Sequence, residues 1–288
     1  MTHFTWPNSF SLGEIRGPCW TAPHYSSPHY SLKSQPNGLL ETMKIFRCPA
    51  NSCIRSSFRR RCAMLTLGAS LFTAAGVTTL QAESRSSIPE EIEWTWEVRP
   101  PRPDAALPNI LLLGDSITRN YFSQVTKDLA GVANVYLMAT SASVGDPRLP
   151  HQIAEFSAME HVHFRVVHFN NGMHGWGYSE AQYQAAFPEL LHSVHKLIKP
   201  DGVAVWASIT PVKVDAKTGA TNPRIDVRNS IAASLVQAAG IAFDDQHALM
   251  MQHLDRYQDT VHFNPSGAAF QGDQVAETIK AALARIHR

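Results

Sequence analysis

The sequence predicts an α/β fold, a parallel sheet with helices on both faces, over residues 109–288. Three observations predict it. Short apolar runs recur at 110–113, 134–138, 165–169, 203–207 and 241–243, and most do not alternate with polar residues, as expected of strands buried on both faces. Segments with a 3.6-residue apolar period lie between them. The two kinds of segment alternate along the chain, which is the order that builds a parallel sheet through crossover helices.

The elements are read in order. Ile110-Leu111-Leu112-Leu113 ends at Gly114-Asp115-Ser116, and a helix follows. "NVYLM" and "RVVHF" are the second and third strands. In 183–198, Tyr183, Phe187, Leu190, Leu191, Val194, Leu197 and Ile198 share one helical face. Pro188 is expected to restart that helix, because proline fits best in a first turn. "VAVWA" is a fourth strand, 223–239 a helix and "IAF" a fifth strand. The last helix carries Val275, Ile279, Leu283 and Ile286 on one face. In sheets of this kind, sites form beyond the carboxyl ends of the strands.

Before residue 109 the chain reads differently. Residues 1–82 hold eight Lys/Arg against two Asp/Glu, whereas the rest holds 17 against 22. The mildly acidic body gives no basis for nucleic-acid binding. Arg59-Arg60-Arg61 precedes an apolar run from Ala63 to about Leu80. That order is the one of an export signal, of twin-arginine character, with Ala82 as a cleavage point. An uncleaved membrane anchor is the alternative. Met43 and Met64 are alternative starts of translation. Cys19, Cys48, Cys53 and Cys62 all precede residue 63, so the remainder can form no disulfide. Cys48 and Cys53 lack the second ligand pair that a zinc site needs. Residues 83–108 read as a linker or arm. "RPPRPD" sets an extended chain, and Trp94 and Trp96 alternate as in a short strand lying on the domain. The expectation is therefore an exported protein, periplasmic or extracellular, that meets a membrane only during export or through an uncleaved leader.

Ser116 sits where the first strand ends, so either of two roles suits it. It can cap the helix, or it can be a nucleophile whose turn aims backbone N–H groups at developing negative charge. The second role requires a base. "YQDTVHFNPSG" supplies one: Asp259 and His262 are three residues apart on a loop before a Pro-Ser helix entry. A histidine base needs a carboxylate to hold its tautomer.

"GDSIT" followed much later by "DTVHFNPSG" resembles the SGNH (GDSL-like) hydrolase family, from about residue 109 to the C-terminus. The resemblance implies a three-layer α/β/α, flavodoxin-like architecture with a five-stranded parallel sheet. It also implies an ester hydrolase that uses no metal or other cofactor. It gives Ser116 the role of nucleophile, His262 that of general base and then acid, and Asp259 that of orienting carboxylate. The Ser116 N–H and that of Gly145, in "ATSASVGDPR", become oxyanion donors. The family's third block, G-x-N-D, is altered here to "FNNGMHGW". Asn171 and His174 are competing third donors, and a shifted frame also offers Asn170.

Trp176 and Tyr178, just beyond this block, are candidates for lining a carbohydrate cleft. Asp244, Asp245 and His247 read as loop caps at a short helix rather than a metal site. Arg228 and Asn229 read as structural or substrate-facing. His161, His163 and His168 form no metal motif, and His168 reads as a satisfied core histidine. No nucleotide-type phosphate loop and no internal repeat occur. The function expected is a serine esterase acting on a small-molecule or carbohydrate ester, with a short acyl group such as acetyl. Its rivals are an O-acyltransferase using the same triad and a non-catalytic carbohydrate-binding domain on the same fold.

Overall fold

A computed structural model describes residues 86–214 and 217–286. The leader and the four cysteines lie outside the described residues. After an edge strand β1 (Thr95–Val98), the order is β2 (Asn109–Gly114), α1 (Ser116–Asp128), β3 (Asn134–Thr140), α2 (Arg148–Glu160), β4 (Phe164–Phe169), α3 (Glu180–Leu197), β5 (Ile198–Ala207), α4 (Asn222–Ala238), β6 (Ala242–Asp244), α5 (Gln246–Met251) and α6 (Pro265–Ile286).

The sheet runs β1-β3-β2-β4-β5-β6. Five strands are parallel, as expected, and the sixth, β1, pairs antiparallel with β3, Trp96 opposite Ala139. The extra strand is the tryptophan-bearing arm, which covers an otherwise open sheet edge. Chain direction across the sheet reverses at β2. Right-handed crossovers then put helices on opposite faces, and a crevice opens at that switch point.

Why the strands read as unbroken apolar runs is now visible. Ile110 and Leu112 pack with Tyr121, Val125, Val275 and Ile279 of α1 and α6. Leu111 and Leu113 point the other way, into a layer with Ile153, Phe156, Phe187 and Val194 of α2 and α3. Each such side chain removed from water contributes about 1.5–3 kcal/mol, so neither face of the strand tolerates a polar residue.

Pro188 differs from expectation. It lies inside an unbroken α3 rather than restarting it. A capping box at Ser179–Gln182 starts the helix earlier. The single backbone hydrogen bond that proline forgoes is outweighed by the buried Tyr183, Phe187, Leu190 and Val194 on its inner face. Among the described residues, no helix is long and apolar enough to cross a membrane.

Candidate active site

Asp115, rather than Ser116, caps the start of α1. The Asp115 side chain accepts the Ile117 N–H at 2.9 Å and is the helix cap. Ser116 is the first helical residue, with its hydroxyl free for another partner. That partner is His262, whose Nε2 lies 2.7 Å from Ser116 Oγ.

His262 arrives from the far end of the chain on a tightly bonded loop. Tyr257 bridges Phe263, and their rings stack at 4.4 Å. Gln258 N–H donates to the His262 carbonyl at 2.8 Å, and Tyr257 Oη donates to the Pro211 carbonyl at 2.8 Å. Asn264 then accepts the Gly267 N–H at the start of α6. Within the loop, Asp259 Oδ1 accepts the backbone N–H groups of Val261 and His262, which turns its other oxygen onto His262 Nδ1 at 2.8 Å. Partial burial pulls the Asp259 pKa upward. The two backbone N–H groups and the imidazole outweigh it and hold the carboxyl below its usual range. The three residues singled out in the sequence are thus one hydrogen-bonded chain, Ser116–His262–Asp259, reaching from a buried hydroxyl to a half-exposed carboxylate.

Two further loops adjoin this chain at the carboxyl ends of β3 and β4. Gly145 is buried on the first, where a β-carbon would collide with the Tyr178 ring. Asn171 begins the second. Its Oδ1 accepts the Val144 N–H and its Nδ2 donates to the Ala142 carbonyl, both at 2.9 Å. The Asn171 amide therefore clamps the Gly145 loop, a positional task that its spacing in the sequence does not reveal. Asn170 is likewise engaged, donating to the Ala207 carbonyl at 2.7 Å. We expect Asn171→Ala to lower unfolding free energy by about 1–3 kcal/mol in urea denaturation, since it leaves a buried N–H and carbonyl unpaired. A loss under 0.5 kcal/mol would rule out the clamp.

His174 stands further along the same loop, with Nδ1 2.8 Å from Glu90 Oε2. The loop is shaped by Gly175, whose φ of 71° suits glycine, and by α4. Arg228, fully buried, donates to the carbonyls of Gly172, His174, Gly175 and Tyr178. Its guanidinium lies 3.9 Å from the centre of the Trp176 ring. Burial pushes its pKa down to about 10, so it stays charged at neutral pH. Asn229 secures the neighbouring loop through both backbone groups of Ile209.

Trp176 and Tyr178 require correction. They are 6% and 4% exposed and face inward. Trp176 packs under Arg228, and Tyr178 covers Gly145 while its hydroxyl accepts the Ile88 N–H. Trp96, on β1, is exposed, 52% accessible. Arg119, in the first turn of α1, lies 5.3 Å from the ring centres of both Trp94 and Trp96. Arg119 also lines a cleft of about 360 Å³, together with Asn120, Ser123, Gln124, Gln258 and His262 and with the apolar Phe263, Pro265, Ala268 and Ala269.

The arm is also more than a linker. Ser87 donates to Asp146, Glu90 holds His174 and the Gly175 N–H, and Glu93 accepts from Ser141 and pairs with Arg148. Residues 87–94 are therefore bonded to both loops of the site. No local pattern announces this, because Glu90 and His174 are 84 residues apart.

Elsewhere, Asp245 caps α5 through the Ala248 N–H, as read. His168 is only half satisfied. Its Nε2 meets Asp244 at 2.8 Å, while Nδ1 is buried without a partner. Among the described residues, no group of three or more His, Cys, Asp or Glu side chains is placed to hold a metal ion.

No protein-family model matches the chain, and no curated protein matches it by sequence. Solved structures do. A member of the lipolytic G-D-S-L family from Veillonella parvula is 15% identical, with a TM-score of 0.49 over 60% of this chain and 98% of that one. A carbohydrate esterase family 3 protein from Talaromyces cellulolyticus is also 15% identical, with a TM-score of 0.49 over 60% and 97%. An acetylxylan esterase from Geobacillus stearothermophilus is 14% identical, with a TM-score of 0.48 over 60% and 94%. The solved structures similar to this chain thus include a G-D-S-L lipolytic protein, a carbohydrate esterase family 3 protein and an acetylxylan esterase.

Proposed function

We propose that the chain is a serine esterase that removes a short acyl group, such as acetyl, from a carbohydrate or similar alcohol. One observation carries the chemistry: the unbroken relay from Ser116 Oγ through His262 to Asp259, at 2.7 and 2.8 Å. Ser116 Oγ attacks the ester carbonyl as His262 Nε2 takes its proton, and Asp259 stabilises the imidazolium that results. The tetrahedral oxyanion sits among the backbone N–H groups of Ser116 and Gly145. Collapse expels the alcohol, which receives the proton from Nε2 and leaves an acyl-Ser116. Water then attacks, giving its proton to His262, which passes it to Ser116 Oγ as the acid departs.

The choice of substrate rests on what surrounds the relay. Six of the ten residues lining the cleft beside His262 are polar, which supports a hydroxylated leaving group over a long hydrocarbon. The exposed Trp96 ring gives a sugar an apolar face to stack on.

Two measurements test the reading. A fluorophosphonate should label the protein once, at Ser116, by peptide mass spectrometry. Across p-nitrophenyl esters, acetate should exceed octanoate in kcat/KM by tenfold or more, and acetylated xylo-oligosaccharides should release free acetate. Absence of both labelling and hydrolysis would leave only a binding role. Acetyl groups accumulating on an added sugar instead of in solution would make the protein a transferase.

A further inference from the structure

His174 differs from an amide in one respect that Glu90 makes decisive. An ionised carboxylate has no proton to give, so at 2.8 Å the proton between Glu90 Oε2 and His174 Nδ1 belongs to the imidazole. The second Glu90 oxygen is held by the Gly175 N–H at 3.0 Å, which fixes the carboxylate in place. A neutral imidazole has a single N–H. With that one directed at Glu90, Nε2 is a bare lone pair that accepts hydrogen bonds and cannot donate them. Nε2 donates only when the ring carries both protons.

The segment that leads to His174 leaves β4 beside the end of β2 that leads to Ser116, where Asn170 N–H donates to the Leu113 carbonyl at 2.9 Å. Its charged neighbours are mostly negative. Glu90 and Glu93 act on the ring from the arm, and Asp115 acts from the β2–α1 turn. Asp115 keeps one carboxylate oxygen buried without a partner. Of the cations, Arg148 is paired with Glu93 and Asp146. Arg228 binds the His174 carbonyl from α4 rather than its ring. Arg119 lies against Trp94, whose ring meets His174 edge-on at 5.9 Å.

On the esterase reading above, we propose that Glu90 is a positioning residue that holds His174 as an imidazolium, whose Nε2–H is a charged third donor to the oxyanion formed at Ser116. Burial alone lowers the His174 pKa, but the Glu90 bond and the charges of Asp115, Glu90 and Glu93 outweigh it and hold it above the ordinary value. Glu90 shows the counterpart. Burial raises its pKa, and the bonds from His174 and Gly175 bring it below normal. The arm thus completes the site with a donor that exists only while the ring is charged.

The sign of the pH dependence follows. His174 must be charged to donate, so activity falls as pH rises through its pKa. Full-length Glu90→Gln should move the alkaline limb of kcat to lower pH, with kcat reduced and KM little changed. His174→Ala should lose about 10²–10³-fold in kcat. His174→Asn, a neutral amide donor, should recover part of that loss and show no alkaline limb. Histidine-ring NMR on the wild type should find His174 doubly protonated at pH 7.

A neutral ring in that spectrum overturns the proposal whatever the activity, and so does an alkaline limb unchanged in Glu90→Gln and His174→Asn. Should Glu90→Gln fail to fold, the spectrum and the His174→Asn profile still decide. If both variants label fully at Ser116 while their profiles match the wild type, this inference is wrong and the esterase stands. If the wild type does not label at Ser116, the esterase reading itself is wrong.

Discussion

Ser116→Ala is expected to lower kcat for p-nitrophenyl acetate on the order of 10⁴–10⁶-fold, about 5.5–8 kcal/mol of barrier, with folding intact. The two halves of this expectation have separate causes. The rate falls because, among the described residues, no other hydroxyl is bonded to His262 Nε2, and the remaining N–H groups only stabilise charge that a weak nucleophile must first create. Folding survives because the helix cap belongs to Asp115. The Ser116 hydroxyl spends its bond on His262, which can bond to water instead, so the unfolding free energy should change by less than about 0.5 kcal/mol. Parallel kinetics and denaturation check both halves. A variant that unfolds while keeping its activity per folded molecule would return Ser116 to a structural role.

Arg228→Ala is expected to do the reverse, costing about 3–5 kcal/mol of stability and disrupting the site only through its loop. Four carbonyls of residues 172–178 converge on this one guanidinium. Each buried acceptor left unpaired costs about 1–3 kcal/mol, and water entering the space recovers part of the sum. Removing the buried charge also relieves its desolvation, while Glu180, 3.7 Å from the Arg228 Nε, loses that partner. Against a total of about 5–15 kcal/mol for a native protein, the loss is large. Arg228→Lys should not restore it, because an ammonium is a point donor and cannot span four acceptors on two sides of a loop. Guanidinium denaturation of the three proteins measures this. A midpoint for the lysine variant equal to wild type would show that charge, not the planar fork, organises the loop.

The sheet was legible because its strands bury both faces. Ile110 to Leu113 could not be read as anything but a core segment, and the same holds for 134–138 and 203–207. The Ser116–His262–Asp259 hydrogen-bonded chain was legible for a different reason. Asp259 and His262 are delivered by one short loop, and Ser116 by one tight turn, so local spacing carries most of their geometry. The aromatics after the third block were misjudged because their fate depends on α4. Trp176 and Tyr178 look like surface residues of a loop until Arg228 draws that loop inward. Glu90 left no trace at all, since an acidic residue in an arm resembles any solvated charge.

What the sequence by itself determined is the α/β alternation and the residue types of the relay, because periodicity and turn chemistry are local properties. What only the tertiary structure decided is which side chains surround that relay: the arm's Glu90 against His174, Asn171 as a clamp, and Trp96 rather than Trp176 in solvent. Those choices are made by contacts between segments tens of residues apart, where the pairing depends on how the loops at the strand ends pack and not on any spacing along the chain.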